Sequence, residues 1–225
     1  MNSKAKRITT IAMLCAVSYA VMAVGRVPVV LFLKYDPKDV IITLGGLIWG
    51  PFTAFIVSVI VSFIEMLSVS DTGIIGCVMN ILSTCAFACT ASIIYKKWHS
   101  LAGATAGLLA GCLAMTCVML IWNYLITPFY MGYPREAVAE LLLPAFLPFN
   151  LIKSGLNAAF TFLLYKPVIT ALRKSGYLAA SGQSPRRRHV GMILFSVAVI
   201  LTCILLILSM NINQYSGNLL DQRLC

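Results

Sequence analysis

The chain has 225 residues, 60% of them hydrophobic and only 11% charged, where an ordinary globular domain has about 25% charged residues. With a mean hydropathy of +0.92 and long unbroken apolar runs, it reads as an all-α polytopic membrane protein. A β-barrel would instead show short alternating segments, and there is no room for a sizeable soluble domain. The net charge of +10 does not point to nucleic acid. The basic residues (Lys4, Lys6 and Arg7; Lys96 and Lys97; Arg173 and Lys174; Arg186, Arg187 and Arg188) sit at the ends of apolar runs, which is the pattern of cytoplasmic loops beside anionic lipid.

The first predicted span covers 8–24 and is closed by Arg26-Val27-Pro28. Its basic start lacks a small-residue cleavage site, so it reads as a retained helix rather than a signal peptide. A short apolar run, 29–33, and a polar cluster, 34–39, follow. The second span, 40–49, is short enough to be partly irregular or interfacial, and Gly50-Pro51 signals a turn. The third span is 52–67, and a polar connection runs over 68–73. The fourth covers 74–94 and ends at Tyr95-Lys96-Lys97. The fifth covers 101–125, with Pro128 placed beyond its end. A polar, aromatic loop is predicted over 130–140. Pro144 and Pro148 then lead to the sixth span, 149–172.

A further apolar run, 190–210, has about the 21 residues needed to cross a ~30 Å hydrocarbon core. The chain therefore divides into a six-helix membrane unit (1–175), a basic linker rich in Gly, Ser and Pro (176–189), and an appended seventh transmembrane helix with a polar tail (190–225). The basic bias places the N-terminus and the connections at 96–99 and 173–189 in the cytoplasm. The connections at 34–39, 68–71 and 130–140, all carrying acids, fall outside.

Lys153 stands out within an otherwise apolar stretch, 146–164. An ammonium group at membrane depth costs roughly 2.5–3.5 kcal/mol on insertion scales, so it normally faces a polar cavity or a partner. Asn150, Lys153 and Asn157 share a helix face by spacing, and Asn123, between Trp122 and Tyr124, belongs near the outer end of the fifth helix. Together they offer donors and acceptors for a flat, polar-edged ligand, with Trp122, Tyr124 and Phe149 as apolar walls. The plainer alternatives are snorkelling of Lys153 to outer headgroups and an aromatic belt at Trp122 and Tyr124.

Gly73, Gly76 and Asn80 open the fourth helix, where glycine permits close approach of a ligand or another helix. The polar cluster 34–39, with Tyr35 and Asp36, reads either as a lid over an outward cavity or as a solvated loop in which Asp39 caps the second helix. On the first helix, Ala12, Ala16 and Ala20 repeat every fourth residue. Such a small-residue stripe lets another helix approach closely, whether a partner's or the chain's own.

Catalytic and metal-binding patterns are missing. The two histidines, His99 and His189, fall in predicted connections, and HExxH, GxSxG and P-loop sequences do not occur. The eight cysteines form no CxxC pair. Cys85 and Cys89 share a face without His or carboxylate neighbours, so the cysteines read as small packing residues. No enzyme activity, metal or cofactor is expected, and any ATP hydrolysis must come from another chain.

Four pieces of the sequence resemble one family: the Ala12/Ala16 stripe, the Lys34-Tyr35-Asp36-Pro37-Lys38-Asp39 cluster, Trp122-Asn123-Tyr124, and Pro148-Phe149-Asn150-Leu151-Ile152-Lys153 leading to Leu163-Leu164-Tyr165-Lys166; the turn at Gly46 to Gly50-Pro51 also fits. They are similar to the substrate-binding S components of energy-coupling factor (ECF) transporters, in particular the riboflavin-binding group. The resemblance spans about 5–175. It implies a six-helix vitamin-capture subunit in the cell membrane that binds riboflavin, or FMN as a second ligand, from outside. Its implied partners are a transmembrane coupling protein and two ATPase subunits.

By resemblance, Asn123, Asn150 and Lys153 hydrogen-bond the vitamin and Gly76 and Asn80 assist. The loop with Tyr35 and Asp36 closes over the site, and Ala12, Ala16 and Ala20 face the coupling protein. The alternatives are an S component for thiamine or pantothenate, or a membrane assembly protein that transports nothing. The additional helix at 190–210 and the unusually basic 34–39 cluster depart from the family pattern.

Overall fold

A computed structural model describes residues 3–30, 33–69, 72–132, 134–175, 193 and 196–208. The linker 176–189 and the tail beyond 208 lie outside the described residues. In chain order the elements are α1 (Ser3–Gly25), a hairpin of β1 (Val27–Val30) and β2 (Leu33–Tyr35), α2 (Lys38–Trp49), α3 (Pro51–Ser68), α4 (Gly73–Lys97), α5 (Leu101–Met131), α6 (Arg135–Leu141), a π-helical turn (Leu142–Phe146) and α7 (Leu147–Lys174). A last helix, α8 (Ser196–Leu208), lies in the appended segment.

Side-chain contacts fix the relative direction of the helices. The Arg7 guanidinium lies 5.2 Å from the Phe52 ring centroid, and the Tyr19 hydroxyl donates to Ser68 Oγ at 2.9 Å. Helices α1 and α3 are therefore parallel, and the chain must cross the full thickness between Gly25 and Pro51. α2 makes only part of that return. At 12 residues it spans about 18 Å, and the hairpin supplies the rest. Among the described residues five helices are long and apolar enough to cross a membrane. The sixth crossing is the hairpin–α2 unit, consistent with the short second span read from the sequence. Gly50 makes the α2–α3 reversal at φ 99°, a left-handed backbone conformation that favours glycine.

Helices α4 and α5 form the closest antiparallel pair. A side chain at Gly107 or Gly111 would come within 2.7–2.8 Å of the Ala91 and Phe87 carbonyl oxygens. The Tyr95 and Tyr165 hydroxyls are hydrogen-bonded, and Cys89 Sγ reaches the Pro51 carbonyl at 3.6 Å. Lys96, Lys97 and Lys166 thus lie at the same end as Lys4, Lys6 and Arg7.

Two boundaries differ from the sequence reading. α5 runs through Pro128 to Gly132, its left-handed C-cap, because a helix within a bundle tolerates the lost N–H of a proline. The predicted loop at 130–140 is largely helical, since α6 begins directly after Pro134. Pro144 is absorbed in the π turn, whose wider winding accommodates its missing donor.

α8 packs on α7. Cys203 is buried, with its Sγ 4.0 Å from the Ile152 carbonyl. It joins the core cluster of Val29, Leu33, Tyr35, Phe146, Phe149 and Ile152 that seats the hairpin on α7.

Candidate functional site

The polar residues that the sequence scatters over five elements meet in one buried network. Asp36, Lys38 and Asp39 are 2%, 0% and 0% exposed, and Glu65 on α3 is 1% exposed. This corrects the solvated-loop alternative for 34–39. It also corrects the capping role of Asp39, because the N-cap of α2 is Pro37 and makes no side-chain cap. Asp39 instead lies inside the first turn of α2 and turns its carboxylate into the bundle. Thr84 donates to its Oδ1 at 2.7 Å, Asn157 donates to its Oδ2 at 3.3 Å, and Lys153 Nζ stands 3.5 Å from the same Oδ2.

A second carboxylate centre adjoins the first. Arg26 Nε donates to Asp36 Oδ1 at 2.9 Å, and its Nη2 donates to Glu65. Lys38 donates to the other Glu65 oxygen and lies 3.7 Å from Asp36. Asn80 Nδ2 also donates to Glu65, at 3.0 Å. Three cations (Arg26, Lys38, Lys153) thus meet three carboxylates (Asp36, Asp39, Glu65). Such pairing matters because isolated charges in a low-dielectric interior are strongly disfavoured.

Beside this network is a cavity of about 240 Å³. Asn80, Ser83, Asn123, Asn150 and Lys153 line it from α4, α5 and α7. Arg26, Lys34 and Asp36 line it from the hairpin side, and its apolar walls are Leu33, Met79, Met119 and Phe149. Two of the asparagines are held rigidly. Asn123 donates to the Met119 carbonyl at 2.7 Å and accepts from Thr127 at 2.9 Å. Asn150 donates to the carbonyl of Phe146, the last residue of the π turn, at 2.7 Å. Fixed polar groups among apolar walls select a ligand by shape and by a few directed hydrogen bonds.

The structure therefore brings together Asn80, Asn123, Asn150, Lys153 and Asp36. Gly76 lies apart, in a small apolar cleft between α4 and α5 that also takes Trp122. Tyr35 is buried in the core cluster rather than in the cavity lining. Tyr124 is 43% exposed and forms no wall of the cavity; the walls come from the two methionines and Leu33 instead. Arg26 and Glu65 were not expected in the site, and Lys38 and Asp39 were expected only as part of a covering loop. Glu65 carried the same signal as Lys153, an ionisable residue inside an apolar run.

On the other side of the bundle, Ala12, Ala16 and Ala20 are exposed. Ala12 and Ala16 floor an apolar groove between α1 and α3, with Ile8, Ile11, Tyr19, Ile60 and Ile64 as its sides. No cluster of three or more His, Cys, Asp or Glu placed to hold a metal occurs among the described residues.

Residues 6–165 match the family described as ECF transporter, substrate-specific component. The chain is 29% identical to the riboflavin transporter FmnP of Bacillus subtilis (strain 168), over 76% of this chain and 98% of that protein. It is 28% identical to the riboflavin transporter RibU of Staphylococcus aureus (strain TCH60), over 75% of this chain and 93% of that protein. A solved S component of a bacterial ECF transporter superposes with a TM-score of 0.64 at 28% identity, covering 76% of this chain and 99% of that one. The chain accordingly belongs to the family of substrate-specific components of ECF transporters, and is a multi-pass membrane protein.

Proposed function

We propose that the chain captures riboflavin at the outer face of the cell membrane and delivers it inward with an ECF coupling module. The observation that carries this reading is the convergence of Asn123, Asn150 and Lys153, from two helices, on one cavity with apolar walls. The names of two relatives that match over nearly their whole length supply the ligand. An isoalloxazine ring suits the slot between Met79 and Met119 on one side and Leu33 and Phe149 on the other. Asn80, Asn123, Asn150 and Lys153 supply hydrogen bonds to its polar edge and ribityl chain. FMN, with its phosphate, is the second candidate ligand.

The cavity volume of about 240 Å³ lies below the ~300–1,000 Å³ typical of pockets that enclose a drug-sized ligand. An outward shift of β1 and β2 would enlarge it to enclose the whole vitamin. Asp36 then acts as a lid residue through its pairs with Arg26 and Lys38, and Tyr35 as a lid anchor in the core. Gly76 supports the α4 wall from behind.

The basic end that gathers Lys4, Lys6, Arg7, Lys96, Lys97 and Lys166 is the cytoplasmic end, which puts the N-terminus inside. The groove at Ala12 and Ala16, continued by Ala20, receives a helix of the transmembrane coupling protein, whose two ATPase partners hydrolyse ATP. The protein itself performs no chemistry on the vitamin and needs no cofactor. Residues 1–175 form the capture unit, 176–189 a cytoplasmic linker, and 190–225 an added membrane anchor.

The test is complementation. In cells unable to make or import riboflavin, the chain with a coupling module is expected to restore growth on low external riboflavin. Restoration instead of thiamine- or pantothenate-limited growth would assign it another vitamin. Growth rescue by none of the three would leave the assembly-protein alternative.

A further inference from the structure

Ser83 is 3% exposed, lines the cavity, and its hydroxyl has no hydrogen-bond partner among the described residues. A buried hydroxyl without a partner gives up its hydration with nothing in return, so its place on a cavity wall points to a ligand group that completes it. The neighbouring polar residues are spoken for: Asn80 is tied to Glu65, and Thr84 to Asp39.

The depth of Ser83 follows from helix packing. Gly107 abuts the Ala91 carbonyl and Gly111 abuts the Phe87 carbonyl on antiparallel helices. That register carries Ser83 to the level of Met115. Cys112 Sγ lies 3.4 Å from the Ser154 carbonyl, which brings Lys153 and Asn150 close to the same level. Asn123, by the same register, stands two turns nearer the hairpin. The cavity therefore has a floor of Ser83, Asn150 and Lys153, and its apolar walls, Met79 and Met119, lie above that floor.

We infer that Ser83 is a specificity-determining residue of the site: with Asn150 and Lys153 it forms a floor that binds the hydroxyl-rich tail of the ligand, while the ring lies above it, against the methionines. A serine hydroxyl both donates and accepts, so it matches a polyol hydroxyl in either direction. This inference rests on riboflavin being the ligand. It adds a contact on α4 and an orientation, tail down and ring up.

The experiment is fluorescence-quenching titration of the full chain in detergent with riboflavin and with lumiflavin, which carries a methyl in place of the ribityl chain. Ser83→Ala is expected to weaken riboflavin about three- to tenfold, the value of one hydrogen bond, and to leave lumiflavin binding unchanged. Ser83→Thr, which keeps the hydroxyl, is expected to retain more riboflavin affinity than Ser83→Ala. Riboflavin binding by Ser83→Ala equal to that of the wild type, in protein that elutes normally, overturns the inference. Equal weakening of both ligands overturns the tail-down orientation. Failure of the wild type to bind riboflavin at all would instead sink the vitamin assignment beneath it.

Discussion

Lys153 Nζ on α7 stands 3.5 Å from Asp39 Oδ2 on α2, and both side chains are almost fully withdrawn from solvent. Thr84 and Asn157 hold the same carboxylate from α4 and α7. Lys153 thus faces the cavity on one side and a fixed anion on the other. Removing one member of a buried pair strands its partner and typically costs about 3–5 kcal/mol. Lys153→Met is expected both to lower the thermal midpoint and to abolish tight ligand binding. Combining Asp39→Asn with Lys153→Met should recover part of the lost stability without restoring binding. Thermal unfolding and ligand titration of the two single variants and the double variant check this, and strictly additive stability losses would argue against the pair.

Glu65 accepts from Arg26, Lys38 and Asn80 while staying out of the cavity lining. Its substitution should therefore act mainly on stability. Glu65→Gln leaves Arg26 and Lys38 sharing Asp36 alone, and a loss of about 3–5 kcal/mol is expected on the scale of broken buried pairs. Glu140→Gln, at an exposed position, should stay within about 0.5 kcal/mol. Chemical denaturation in a constant detergent compares the two, and similar midpoints would contradict the network.

The contact between α7 and α8 is set at Gly155. A methyl there would sit 3.5 Å from Cys203 Sγ and 4.0 Å from Val199 Cγ1, which is ordinary van der Waals contact. Gly155→Ala is expected to be tolerated, whereas Gly155→Leu should lift α8 off α7. Maleimide labelling of Cys203 reads this out, with Cys203 protected in wild type and Gly155→Ala and labelled in Gly155→Leu. Equal protection in all three would place α8 elsewhere.

Ala12 and Ala16 lie in a groove on α1 and α3, remote from the cavity on α4, α5 and α7. Ala12→Leu with Ala16→Leu fills that groove with branched side chains. Riboflavin binding by the purified chain should be unchanged, while uptake with the coupling module should be lost. Loss of both would mean that the groove also supports the fold of the site.

The membrane-spanning helices and the Asn150–Lys153–Asn157 face were legible because period and charge within a single segment report them. Most pairings of the ion network were not legible. Asp39 and Lys38 follow Pro37 in a polar run that reads locally as a turn, and their partners come from α3, α4 and α7, far along the chain. Local spacing carries no sign of such pairs. Glu65 was readable in principle, as a lone acid in an apolar helix. α6 was obscured by its shortness and polarity, although Pro134 directly before it is a helix-start signal. α5 reads as ending before Pro128 only if the bundle's tolerance for an internal proline is ignored.

The central claim is that a buried cation and its neighbouring amides hold riboflavin in the cavity between α4, α5 and α7. The most direct test is an equilibrium titration of riboflavin into the purified chain and into the Asn150→Ala, Lys153→Ala double variant. The expected result is saturable, one-to-one quenching with the wild type and none with a double variant that still elutes as a folded protein. Undiminished binding by that variant, or no binding by the wild type, would contradict the account.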